Sequence, residues 1–169
     1  MATATIKKEE NRMRQIVEKV IVNAGVGKLA QQPNFEEKTL PQVVKDLSAL
    51  AGQKPQVTRA RKSIAAFKTR QGQVIGLRIT LRGQKMVDFL ERLVRIVLPR
   101  VHDFRGLTES AVDEGGVLNI GFREQDVFPE INAEELTLAF SLGVNIVPKE
   151  KNRAKAIEAY KALGFPFKK

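Results

Sequence analysis

Three groups of residues have types and spacings that could do chemistry. Gly25-Val-Gly-Lys-Leu-Ala30 fits the G-x-G-x-x-A spacing that seats a dinucleotide pyrophosphate on a helix N-terminus. That use needs a helix opening at the second glycine, and Gln31-Gln32-Pro33 interrupts the chain within a turn. Gly25 and Gly27 are therefore expected to make a tight turn, or to let backbone without Cβ come close to an RNA backbone. His102 beside Asp103 could be two members of a triad. No G-x-S-x-G or comparable nucleophile accompanies them, and neighbours on extended chain point apart, which leaves a surface histidine. Glu134 and Glu135 are paired carboxylates in an acidic loop and read as a solvated charge run. The 169 residues contain no Cys and one His, which excludes disulfides, thiolate metal sites and a His-pair metal site. No enzyme, cofactor or metal is expected.

The chemistry that remains is electrostatic. Lys and Arg number 29 against 19 Asp and Glu, a net charge of +10. The excess is localised. From Leu47 to Val87 no acid occurs, while Lys54, Arg59, Arg61, Lys62, Lys68, Arg70, Arg78, Arg82 and Lys85 contribute +9. Residues 107–135 hold eight acids against Arg123, a charge of −7. Nine cations without local acids repel one another and suit a polyanion, whose condensed counterions they release. Nucleic acid is the leading partner class. A membrane surface is disfavoured, because no segment joins a basic face to an exposed apolar one. No apolar run approaches the roughly 20 residues that span a bilayer, and residues 1–12 show no signal-like pattern, so a cytosolic protein is expected. Among nine phenylalanines, Phe89, Phe122 and Phe140 fall on core periodicities, and Phe67 alone looks free to meet a base or sugar.

Periodicity supplies the elements that must position these residues. Residues 15–23 read as a strand with Asn23 on a polar face. Thr39-Leu-Pro-Gln42 has capping-box spacing, and Leu40, Val43, Val44, Leu47, Leu50 and Ala51 follow at helical spacing up to Gly52. Residues 56–60 read as a short strand and 61–73 as an exposed basic arm. Residues 74–82 alternate, with Ile75, Leu77, Ile79 and Leu81 inward and Val74, Gly76, Arg78, Thr80 and Arg82 outward. A helix over 84–98 is expected to stop at Pro99. Strands follow at 117–122 and 138–147, then a helix over 152–163 closed by Gly164. The order β-α-β-β-α-β-β-α predicts an α+β fold as a single domain over 15–169 after a short polar lead, 1–14. Its mostly antiparallel sheet would carry helices on one face and leave the other free for RNA.

Several runs then resemble a known family. Gly52-Gln-Lys-Pro55, Thr58 to Phe67 (TRARKSIAAF), Ile79-Thr-Leu-Arg-Gly83, Leu98-Pro-Arg-Val101, Asp103-Phe-Arg-Gly-Leu107, Phe128-Pro-Glu-Ile131 and Leu163-Gly-Phe-Pro-Phe167 occur in order. Together they resemble the large-subunit ribosomal protein L5 family, from about residue 15 onward. The resemblance implies a cytoplasmic protein in the ribosome that binds 5S ribosomal RNA in the central protuberance. Its other implied partners are P-site transfer RNA, small-subunit ribosomal protein thirteen across an intersubunit bridge, and further central-protuberance proteins. The family's 5S-binding positions fall on Asn23, Gln53 and Thr80, to which the basic reading adds Gly25, Gly27, Lys54, Arg59, Arg78 and Arg82. The arm toward transfer RNA matches Arg61, Lys62, Ser63, Phe67, Lys68 and Arg70. The bridge falls in 107–135, with Asp113, Glu114, Glu134 and Glu135 offered to a basic partner. The family begins with a helix before the first strand, which the polar lead is expected to lack. It also tends to carry Met at position 24, Arg at 102 and a more basic turn at 113–116. A free-standing RNA-binding or RNA-maturation factor is the alternative use of the same basic face.

Overall fold

A computed structural model describes residues 10–131 and 138–168. Residues 10–16 are helical (α1), followed by β1 (Val17–Gly25), α2 (Leu40–Ala51), β2 (Gln56–Arg59) and β3 (Val74–Leu81). Helix α3 (Gly83–Arg92) runs on through a π segment, Leu93–Val97, and a last turn, Leu98–Arg100. Then come β4 (Leu118–Phe122), β5 (Leu142–Pro148) and α4 (Arg153–Ala162). The strands form one antiparallel five-stranded sheet in the order β2-β3-β1-β5-β4. The α+β class, with helices over the apolar face, is as the periodicity predicts.

Contacts divide the described residues into two compact units. Those within Met1–Ile21, Thr80–Ile120 and Val144–Lys169 form one, and those within Val22–Ile79 and Gly121–Gly143 form the other. In the first, Phe89, Leu90, Leu93, Leu118, Ile146 and Tyr160 are buried, and Tyr160 meets Phe165 edge-on at 5.8 Å. In the second, α2 buries Val43, Leu47, Leu50 and Ala51, spaced as one helix face requires, and Phe122 meets Phe128 edge-on at 5.4 Å. Each full burial is worth about 1.5–3 kcal/mol.

Five expectations are corrected. The lead does hold a helix, since residues 10–16 are helical and Met13 is buried, and β1 starts at Val17. Thr39 is not a cap. It is itself helical (φ −78°), and the path enters α2 earlier, through left-handed Asn34 (φ 60°) and a π segment, Phe35–Thr39. Burying Phe35 gains more than the roughly 1 kcal/mol a cap supplies. Ile75 is outward and Val74 inward, because β3 bulges there: Thr58 pairs with Gly76 and Arg59 with Val74. Pro99 does not stop its helix. Leu98 N–H already reaches back to Leu93 O across the π segment, and Pro99 enters the last turn at its first positions, where no N–H is needed. Last, Leu138 and Phe140 precede rather than join β5, whose strand opens at Leu142.

Candidate nucleic-acid interface

Alternation in the sheet fixes which side chains leave the core. On β1, Val20, Val22 and Ala24 are buried while Asn23 and Gly25 are exposed. On β3, Leu77, Ile79 and Leu81 are buried, Arg78 is exposed and Thr80 half-buried; Arg82 follows, exposed. Gln56 stands opposite Arg78 across the ladder, and Arg78 Nη2 donates to Gln56 Oε1 at 3.2 Å. All four residues of β2 are exposed. Gln53 and Lys54 follow the left-handed Gly52 (φ 64°) that ends α2, whose N–H returns to Ser48 O at 2.9 Å. Asn23, Gln53, Lys54, Arg59 and Arg78 all belong to the second unit. Thr80 and Arg82 belong to the first.

Gly25 closes β1, and Gly27 enters a turn in which Ala30 N–H donates to Val26 O at 2.8 Å. The helix a dinucleotide fingerprint needs is absent among the described residues, where only Leu29–Gln31 coils before Asn34 turns left-handed. An ideal Cβ on Gly25 would meet nothing within 4 Å, so its outer side is open.

The arm carries Arg61, Lys62, Ser63, Phe67, Lys68 and Arg70 outward, all exposed, with Phe67 at 72 %. Ile64 and Thr69 form an isolated antiparallel bridge around a short coil, Ala65–Phe67, closed by left-handed Lys68 (φ 52°). Ser63 Oγ accepts from Gln71 N–H at 2.9 Å, and Gln73 Oε1 accepts from Arg70 N–H at 2.9 Å. Below the arm, Arg59 Nη1 donates to Gly72 O at 2.9 Å and to Glu36 Oε1 at 3.2 Å. Arg59 therefore braces the arm as well as adding charge, and Glu36, far off in sequence, gives the acid-free stretch a counter-ion. A recess of about 570 Å³ beside the arm is lined by Ala30, Gln31, Lys68, Arg70, Gln71 and Gln73.

The acidic segment is built differently. Asp113 Oδ1 accepts from Val117 N–H at 2.8 Å, closing a turn through left-handed Gly116 (φ 81°), while Asp113 and Glu114 stay exposed. Arg153 of α4 donates to Val112 O and Glu109 O at 3.1 and 3.0 Å. Lys161 pairs with Glu109 at 2.8 Å and holds that carboxyl below its ordinary value. The buried Tyr160 hydroxyl donates toward Gly116 O and Ile146 O at 2.9 and 3.0 Å, and burial pushes its pKa well up. Glu134 and Glu135 lie outside the described residues. Beyond Arg123, buried Gln125 accepts from Phe140 N–H at 2.9 Å and donates to Leu138 O, a satisfied polar anchor that no periodicity announces.

Left-handed Asp103 (φ 56°) brings its carboxylate to 3.9 Å from the His102 imidazole, closer than extended neighbours stand, yet both side chains are solvated. Among the described residues no cluster of metal-ligand type occurs, and no helix is long and apolar enough to cross a membrane.

Comparison with known proteins agrees along the chain. Residues 11–70 match the family described as ribosomal protein L5, and residues 74–167 match the C-terminus of the ribosomal L5 family. A large ribosomal subunit protein uL5 from Syntrophomonas wolfei is 47 % identical over 152 residues, 90 % of this chain and 83 % of that one. The protein of that name from Rubrobacter xylanophilus is 44 % identical over 160 residues, covering 94 % and 87 %. That from Halothermothrix orenii is 44 % identical over 151 residues, covering 89 % and 82 %.

Proposed function

The chain belongs to the ribosomal protein L5 family, and from that premise we propose that it is a structural, non-enzymatic constituent of the large ribosomal subunit that holds 5S ribosomal RNA in the central protuberance. It acts in the ribosome, in the cytoplasm. The observation that carries this reading is the acid-free hairpin, which presents Arg78 and the arm cations outward on a scaffold closed by its own hydrogen bonds. Lys54, Arg59, Arg78 and Arg82 neutralise phosphates without reading sequence. Asn23, Gln53 and Thr80 supply directional hydrogen bonds that fix register on an RNA shape, while Gly25 and Gly27 let the RNA backbone come near.

The arm, with Arg61, Lys62, Ser63, Lys68 and Arg70 around the exposed Phe67, is the surface for P-site transfer RNA. The acidic residues Asp113, Glu114, Glu134 and Glu135 are the ones offered to small-subunit ribosomal protein thirteen, whose basic character the negative charge suits. Other central-protuberance proteins adjoin it.

Salt titration of purified 5S RNA binding tests the reading. With about five phosphates engaged, the slope of log K against log salt is expected at roughly −3 to −5. Thr80→Ala weakens binding at an unchanged slope, whereas Arg82→Ala makes the slope shallower by about 1. A slope near zero, or equal slopes in the two variants, overturns the division of labour. Cosedimentation with the large subunit after a moderate salt wash tests residence in the particle.

A further inference from the structure

Asn23 sits on the open side of β1, and the neighbouring strand leaves it an unusual amount of room. On β5, Leu142, Val144 and Ile146 are buried, which puts Gly143 on the same open side. An ideal Cβ on Gly143 would lie 2.5 Å from Asn23 Oδ1, 3.0 Å from Nδ2 and 3.1 Å from Cγ. Cβ atoms do not approach other heavy atoms that closely, so any side chain at 143 displaces the amide group of Asn23. The backbone itself does not ask for glycine, because Gly143 is not among the glycines with positive φ. What requires glycine is the position of one amide on another strand, 120 residues away in sequence.

The surroundings fit that use. Gly76 on β3 and Gly25 on β1 are also on the open side; a Cβ at Gly76 would stand 3.0 Å from Ala24 O, while one at Gly25 would meet nothing within 4 Å. On β4, Gly121 lies between buried Ile120 and Phe122, and a Cβ there would meet nothing within 4 Å. Three adjacent strands, β3, β1 and β5, each contribute a glycine around Asn23, all in the second unit, and Gly121 on β4 lies outside that floor. Such a floor lets the shallow minor-groove edge of A-form RNA, with its 2′-hydroxyls, settle close to the backbone. An amide meeting it must be fixed in place, since the terminal torsion of Asn is broad and its cost of ordering falls on binding.

We propose that Gly143 is a positioning residue for RNA recognition: it holds the Asn23 amide where the sugar edge of the bound RNA meets it. The proposal rests on the reading of Asn23 as a 5S RNA contact, and the experiment separates the two. Gly143→Ala, Asn23→Ala, the double variant and Gly121→Ala are compared in the full chain. Gly121→Ala is the control, on the same face with no contact to make. The probes are purified 5S RNA at fixed salt and the side-chain amide resonance of Asn23 in the free protein, assigned by its loss in Asn23→Ala.

Gly143→Ala is expected to move that resonance and weaken RNA binding about three- to tenfold. It should have no further effect in the Asn23→Ala background, because the obstructed group is gone. Gly121→Ala should leave the resonance in place. An unmoved resonance in Gly143→Ala overturns the positioning claim. So does an equal loss of affinity with and without Asn23, or an equal loss from Gly121→Ala. A moved resonance with undiminished binding, together with undiminished binding by Asn23→Ala, overturns instead the reading of Asn23 as an RNA contact.

Discussion

In the arm at residues 60–73 the chain is held by backbone and neutral groups: along the stem Ala60 N–H donates to Gln73 O and Gly72 N–H to Ala60 O, Ile64 and Thr69 bridge the tip, and Ser63 and Gln73 close the turns. In the acidic turn at 108–117, charged and buried groups from α4 do the holding, through Arg153, Lys161 and Tyr160. The arm spends little of its charge on itself, apart from Arg59 at its base, and leaves it exposed to solvent. The acidic segment spends part of its charge on folding, with Glu109 held by Lys161 and one Asp113 oxygen closing a turn. A segment's net charge is thus a poor guide to what it presents until the internal uses are subtracted.

The largest effect expected from that contrast lies on the basic side. Replacing Arg61, Lys62, Lys68 and Arg70 together by Ala should weaken binding of transfer RNA about a hundred- to thousandfold at low salt, and leave 5S RNA binding close to the parent's. The log–log slope for transfer RNA should become shallower by about 3. Melting should move by no more than about 2 °C, because these side chains are exposed. A melting temperature many degrees lower would break the comparison, since the arm cations would then be structural. Gly116→Ala should do the reverse. Its Cβ would stand 2.9 Å from that of Ala156 and 3.2 Å from Pro148 Cγ, at φ 81°. Overpacking plus backbone strain cost about 2–4 kcal/mol, a fall in Tm of roughly 4–16 °C. The salt slope of RNA binding should not change; a changed slope would mean that the acidic turn takes part in RNA binding.

A smaller change sharpens the same point. Tyr160→Phe keeps the ring against Phe165 but removes the donor shared by Gly116 O and Ile146 O. Leaving buried acceptors unmet costs about 1–3 kcal/mol, read as a lower midpoint in urea at unchanged m-value. An unaltered midpoint would show that the turn does not depend on this clamp.

What the sequence made legible follows from local rules. Alternation placed Asn23, Arg78 and Thr80 outside the core, and the run of cations without acids marked the arm. Features made by distant partners were not legible: Glu36 paired with Arg59, Gly143 beside Asn23, and Gln125 tied to Leu138 and Phe140. Ile75 failed for a related reason, since a bulge is set by pairing with β2 and reverses the faces beyond it. Thr39 failed because a buried aromatic five residues from the helix start outweighed a local capping pattern. Such signals appear in a sequence only as a residue type, here a glycine or a glutamine, whose reason lies on another strand or loop.

The smallest expected effect concerns acid. Lys161, by hydrogen bond first and by charge second, lowers the Glu109 carboxyl below its ordinary 4.5. A carboxyl lowered on folding contributes stability above its unfolded value and loses it as pH falls through the folded one. The contribution is therefore full at neutral pH and fades below about pH 4.5. Both partners are half-exposed, which keeps it small. Glu109→Gln should then melt slightly below the parent at pH 7 in low salt, with the gap closing toward pH 3 and also in high salt. The arm variant provides the contrast, because it alters no carboxyl, and its offset in melting temperature should not follow the titration of one. A Glu109→Gln gap that persists at pH 3 would mean that the side chain's packing, rather than its charge, braces the acidic turn, and the distinction between a charge-held turn and a backbone-held arm would fail at that residue.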